Sequence, residues 1–154
     1  MSDTHRAHGL AALIHVWIAV VALAAAAAPA LADTKQWTGG AGTASWHDAA
    51  NWSPVGAPGS SDDVVIDGAG AITVNFTTGT TVVRSLACTK TLNVNGGTLG
   101  VSTTGNITGS IALNGGALDG GEWTLANALT ATSSTNNRLA NVTINGNLDM
   151  PANS

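Results

Sequence analysis

Apolar residues run almost without interruption from Leu10 to Ala28, with His15 the one polar side chain among them. After Pro29 no such run recurs. Short segments take over: Val64-Val-Ile66, Ile72-Thr-Val-Asn-Phe76, Thr81-Val-Val83, Thr91-Leu-Asn-Val-Asn95, Ser110-Ile-Ala-Leu-Asn114 and Asn141-Val-Thr-Ile-Asn145. They are rich in β-branched residues, and most alternate apolar with polar, the period of a strand with one buried face. Between them stand Asn95-Gly-Gly97, Asn114-Gly-Gly116, Asp119-Gly-Gly121 and Asn145-Gly146, pairs that tolerate the positive φ of tight turns. No segment beyond residue 32 carries a helical period. The pattern predicts an all-β domain.

Its rhythm narrows the architecture. Leu92-Asn-Val-Asn-Gly-Gly-Thr-Leu99 matches Ile111-Ala-Leu-Asn-Gly-Gly-Ala-Leu118 position for position, nineteen residues later. Val142-Thr-Ile-Asn-Gly-Asn-Leu148 repeats the pattern with one residue deleted, and Ile72-Thr-Val-Asn75 lies about one period before Leu92. A period near twenty suits one coil of a β-solenoid, in which short strands joined by turns stack coil on coil. The predicted fold is a right-handed parallel β-helix. An antiparallel β-sandwich is the alternative, since Asn-Gly turns suit hairpins; fixed spacing is expected of a solenoid and unneeded in a sandwich.

The apolar run reads as the core of a helical signal peptide. A weakly positive start (Met1 to Gly9) precedes it, and Ala30-Leu-Ala32 supplies the small-x-small pattern of a cleavage site, placing the cut between Ala32 and Asp33. An uncleaved anchor is the rival reading, because the run approaches the ~20 residues that span a bilayer. His15 and the alanine-rich second half favour cleavage. With no second apolar run, no membrane span is expected in the remainder. The chain then divides into a leader (1–32), a Trp-rich segment (33–68) and solenoid coils (69–154).

Charge and cysteine exclude several partners and supports. Charged residues are 9% of the chain, and only Lys35, Arg84, Lys90 and Arg138 are basic after residue 32, so there is no basic footprint for nucleic acid or for anionic lipid. Cys88 is the single cysteine, so stability must come from packing and repetition, not from intrachain disulfides. In its alternating segment Cys88 is expected to be a buried structural thiol.

Three of the four tryptophans beyond the leader fall in Trp37-Thr-Gly-Gly-Ala-Gly-Thr-Ala-Ser-Trp46-His-Asp-Ala-Ala-Asn51-Trp52-Ser-Pro54. Trp37, Trp46 and Trp52 can act as a cap that shields the open edge of the first coil. They can instead form a carbohydrate platform, indole faces stacking on sugar rings. The cap is favoured, because indoles in a small domain with few other aromatics usually form its core. With Asp63-Val-Val-Ile66 the segment resembles the start of the mature region in large bacterial exported proteins: autotransporter-like adhesins and surface proteins with pectin-lyase-like β-helices. That resemblance implies a secreted or cell-surface β-solenoid and no single activity. Such proteins are long, so the chain reads either as a segment of one, with further modules beyond it, or as a short stand-alone solenoid, the segment being favoured.

Candidate chemistry is sparse. Asp62, Asp63 and Asp67 offer oxygen ligands for Ca²⁺ but lack the spacing of a known calcium loop, and they read as solvated turn and edge charges. His47-Asp48 lies too close in sequence to converge with a serine as a triad. A period near twenty would place Asp119 and Arg138 one coil apart on one face, the weak basis for a polysaccharide-cleaving alternative. The sequence therefore predicts a non-enzymatic structural or adhesin-like solenoid without cofactor. Its candidate partners are surface glycans or other surface proteins.

Overall fold

The computed structural model describes residues 32–150; the proposed signal peptide lies almost wholly outside them. β1 (Thr34–Trp37) turns Lys35 and Trp37 inward. A loop and a single 3-10 turn at Ala49–Asn51 lead to β2 (Trp52–Ser53), which pairs antiparallel with β1 and sets Trp37 opposite Trp52. From β3 (Asp63–Ile66) the chain coils, with β4 (Thr73–Phe76) and β5 (Thr80–Val83) completing the first turn. The second coil is β6 (Ser85–Cys88), β7 (Thr91–Val94) and β8 (Thr98–Val101). The third is β9 (Thr104–Ile107), β10 (Ser110–Leu113) and β11 (Ala117–Asp119). The fourth is β12 (Glu122–Leu125), β13 (Leu129–Ala131) and β14 (Arg138–Ala140). β15 (Thr143–Asn145) and β16 (Leu148–Asp149) begin a fifth.

Strands consecutive within a coil do not pair with each other. Each pairs in parallel with the strand one coil away, building a seven-stranded sheet (β15-β12-β9-β6-β3-β1-β2), a five-stranded sheet (β16-β13-β10-β7-β4) and a four-stranded sheet (β14-β11-β8-β5). The fold is a β-solenoid, parallel except at β1–β2. The sandwich alternative fails because the Asn-Gly pairs turn the chain from one sheet to the next instead of folding it back on itself.

The sequence repeat maps onto this ladder where it is strongest: Leu92 lies opposite Ile111 and Leu99 opposite Leu118. Two weaker matches are corrected. Val74, not Ile72, stands opposite Leu92; a two-residue slip keeps the same face inward, so alternation alone does not separate the registers. Val142–Leu148 does not repeat the β10–β11 stretch either. Thr143 to Asn145 pair with β12, and Leu148 pairs with Leu129 of β13. The longer corner between β13 and β14 delays the fourth coil, with Arg138 opposite Ala117, so the later Asn-Gly falls two corners on, between β15 and β16.

Inward residues form stripes along the solenoid axis. Val74, Leu92, Ile111 and Leu129 line the five-stranded sheet, all essentially buried. On the seven-stranded sheet Val64, Leu86, Gly105, Trp123 and Ile144 succeed one another. Gly105 makes room there, because a Cβ at this position would lie 2.4 Å from Cε3 of Trp123. On the five-stranded sheet and at the corner after it, Asn93 and Asn95 donate to Asn75 Oδ1 at 3.1 and 3.4 Å, and Asn114 donates to Asn95 Oδ1 at 2.9 Å. The burial is uneven at the far end: Leu139, Val142 and Ile144 are only partly covered, and Leu148 and Met150 are 46% and 56% exposed.

Candidate functional site

The Trp-rich segment closes the other end. Trp37, Trp46 and Trp52 are 5%, 0% and 1% exposed. Trp52 is the hub, with its ring centroid 5.0 Å from those of both Trp37 and Trp46 in edge-on arrangements of 87° and 68°. Trp46 continues the stack onto Phe76 of the first coil at 5.8 Å and 72°. Edge-to-face contacts of this kind add to the burial of large apolar area. Trp52 Nε1 donates to the Trp46 carbonyl at 2.8 Å, so the cluster is tied by a polar bond as well as by packing. Trp46 Nε1 and His47 Nε2 are buried without a hydrogen-bond partner among the described residues.

The backbone around the indoles covers an open strand edge. Asn75 of β4 donates to the Ala44 carbonyl at 2.7 Å, and Trp46 donates to the Asn75 carbonyl at 3.0 Å. Residues 44–46 thus occupy groups that a preceding coil would otherwise take. The three tryptophans predicted as site residues are brought together, as a cap. Sugar stacking needs open indole faces, and here those faces lie against one another and against the first coil.

Asn51 organises this cap, and the sequence reading gave it no role of its own. Its side chain is fully buried. Nδ2 donates to the Thr43 carbonyl (3.2 Å), Thr43 Oγ1 (3.0 Å) and the Ser45 carbonyl (3.0 Å), while Oδ1 accepts from Ala41 N–H at 3.0 Å. Its carbonyl accepts from Thr38 and Gly39 N–H. Its amide satisfies a backbone that the glycine-rich loop buries, a role that no sequence pattern marks. Lys35, also buried, reaches the Pro54 carbonyl at 3.1 Å and fastens the following loop.

The acidic candidates have local roles. Asp62 Oδ2 accepts from Gly59 N–H at 2.7 Å. Asp63 pairs with Arg84 and accepts from Ser85 Oγ, and Asp67 accepts from Gln36 Nε2 at 3.1 Å. No group of three or more His, Cys, Asp or Glu gathers among the described residues. Asp119 and Arg138 lie one coil apart on one face, but two positions out of register: Arg138 stands opposite Ala117, while Asp119 stands opposite Ala140 and accepts from Asn141 at 2.9 Å. His47 and Asp48 do not form a catalytic relay; Asp48 accepts from Thr43 Oγ1 at 2.7 Å. Cys88 is buried, and desolvation raises its thiol above the usual range although a backbone hydrogen bond at Lys90 and the Lys90 charge pull the other way.

Ala32 and Asp33, the predicted cleavage junction, are exposed and immediately precede β1. Among the described residues no helix is long and apolar enough to cross a membrane. No protein-family model matches the chain, no curated protein matches it, and no solved structure matches it.

Proposed function

We propose that this chain is a structural segment of an exported bacterial surface protein, an adhesin-like and non-enzymatic β-solenoid that presents its outer faces to surface glycans or other surface proteins. The buried tryptophan cap carries this reading. It closes one end of a stack of similar coils and leaves the outward strand positions to short polar side chains. On the seven-stranded sheet these include Thr34, Asp63, Ser85, Thr104, Glu122 and Thr143. The acids and bases support a non-catalytic role by their dispersal: Asp63 is engaged by Arg84, Asp119 by Asn141 and Glu122 by Asn145. The apolar run from Leu10 and the Ala30-Leu-Ala32 site support export, and the Trp37–Ile66 pattern supports kinship with autotransporter-like surface proteins.

Expression in a bacterial host with a C-terminal epitope tests export and surface role together. The expected product is found outside the cytoplasm with Asp33 as its first residue by N-terminal sequencing. Intact chain retained in the cytoplasm would remove the export reading. On a glycan array, any binding is expected to leave tryptophan emission unchanged and to be lost on substituting outward residues. A ligand-induced indole shift would instead point to the carbohydrate-platform reading.

A further inference from the structure

The repeat sets Asn95-Gly96-Gly97 and Asn114-Gly115-Gly116 at the same corner of successive coils, between the five-stranded and four-stranded sheets. Asparagine before glycine is open to attack on its own side chain, because no Cβ on the second residue hinders the approach of its nitrogen. The two corners share a sequence but not a conformation. The left-handed residue is Gly97 in one (φ 68°) and Gly115 in the other (φ 98°).

Three hydrogen bonds separate them chemically. Gly115 N–H donates to Asn137 Oδ1 at 2.6 Å, reaching into the longer corner of the next coil, whereas Gly96 N–H has no partner among the described residues. Asn114 Nδ2 donates to Asn95 Oδ1 at 2.9 Å, and no donor reaches Asn114 Oδ1 among the described residues. Asn95 Nδ2 is held only by a long bond to Asn75 Oδ1, at 3.4 Å. Asn95 is exposed and Asn114 half-buried.

We propose that Asn95 is a site of spontaneous deamidation, with water the only co-reactant, and that the fold protects Asn114 from the same reaction. The Gly96 nitrogen gives up its proton and bonds to Asn95 Cγ; the Cγ–Nδ2 bond breaks and ammonia leaves. Water then opens the five-membered imide to aspartate or isoaspartate. Negative charge builds on Asn95 Oδ1 during the attack, and the Asn114 amide already donates there, the arrangement that stabilises an oxyanion. At Asn114 the attacking nitrogen is tied to Asn137, and the amide oxygen has no such donor. The aspartate form keeps the ladder, since it still accepts from Asn114 and Asn75 Oδ1 retains Asn93 at 3.1 Å. It also puts a carboxylate on a corner that otherwise has no charge: residues 77–79, 95–97, 114–116 and 132–137 are all Thr, Ser, Asn or Gly. The surface that the solenoid presents there gains charge with age.

Peptide mapping by mass spectrometry tests this on purified, folded protein aged in mildly alkaline buffer. Water enriched in heavy oxygen marks conversion during ageing apart from conversion during digestion. Asn95 should convert about tenfold faster than Asn114, the factor that the net worth of one hydrogen bond supports. In urea-unfolded protein the two rates should converge. Asn114→Ala should slow Asn95 by a similar factor of about ten, by removing the donor to its oxygen. Asn137→Ala should speed Asn114 and leave Asn95 as it was, which a general loosening of the fold would not do. The proposal is overturned if Asn95 converts no faster than Asn114 in the folded protein. It is overturned equally if folded Asn114→Ala, with unchanged circular dichroism, converts at Asn95 at the original rate, or if Asn137→Ala leaves Asn114 as slow as before.

Discussion

At Asn51 both amide protons and the amide oxygen are engaged inside the cap, in a side chain with no exposed surface. Replacing it with alanine strands the Ala41 N–H and the Thr43 and Ser45 carbonyls, and is expected to cost about 2–4 kcal/mol in urea denaturation followed by tryptophan emission. Asn51→Asp keeps the shape but turns a donor into an acceptor facing carbonyl oxygens. Burial and those carbonyls raise the new carboxyl's pKa in the folded state. A raised acid is favoured in its protonated form, so the deficit of this variant should shrink as pH falls. An equal deficit at all pH values would show that Asn51 acts only by filling space. By contrast Asp63 meets Arg84 at the exposed surface, where an ion pair contributes at most about 1 kcal/mol. The indoles were legible as a cap from the scarcity of other aromatics. Asn51 was not, because its role depends on where a glycine-rich backbone places two carbonyls, a hydroxyl and an N–H.

At the scale of the strand the decisive quantity is register. The match of Leu92 and Leu99 with Ile111 and Leu118 was readable because eight positions repeat together. The register of β4 was not, since a slip of two residues preserves the inward face. Nor was the frame of β15, because the extra residues before Arg138 sit in a polar corner that no apolar pattern marks. Gly105 is a second position that pattern reading passes over. It occupies an inward site of β9 where every alternation rule expects a large side chain, and Trp123 of the next coil fills the space. Gly105→Ala is therefore expected to destabilise by about 1–3 kcal/mol through overpacking. Combining it with Trp123→Leu should cost less than the sum of the two single changes, because the smaller side chain relieves the clash. Strict additivity in equilibrium unfolding would mean that the two residues do not share that space.

Across the whole molecule, stability is set by stacking between neighbouring coils, so the position of a coil decides how well it is held. The first coil is backed by the tryptophan cluster, and the second and third have neighbours on both sides. Among the described residues the last strands have a neighbour on one side only, and their inward residues are the least covered. Local opening should follow that order. Native-state hydrogen exchange is expected to show slow amides through β3 to β11, intermediate ones in β12 and β13, and the fastest strand amides in β14, β15 and β16. Uniform protection from β1 to β16 would mean that the coils open as one unit.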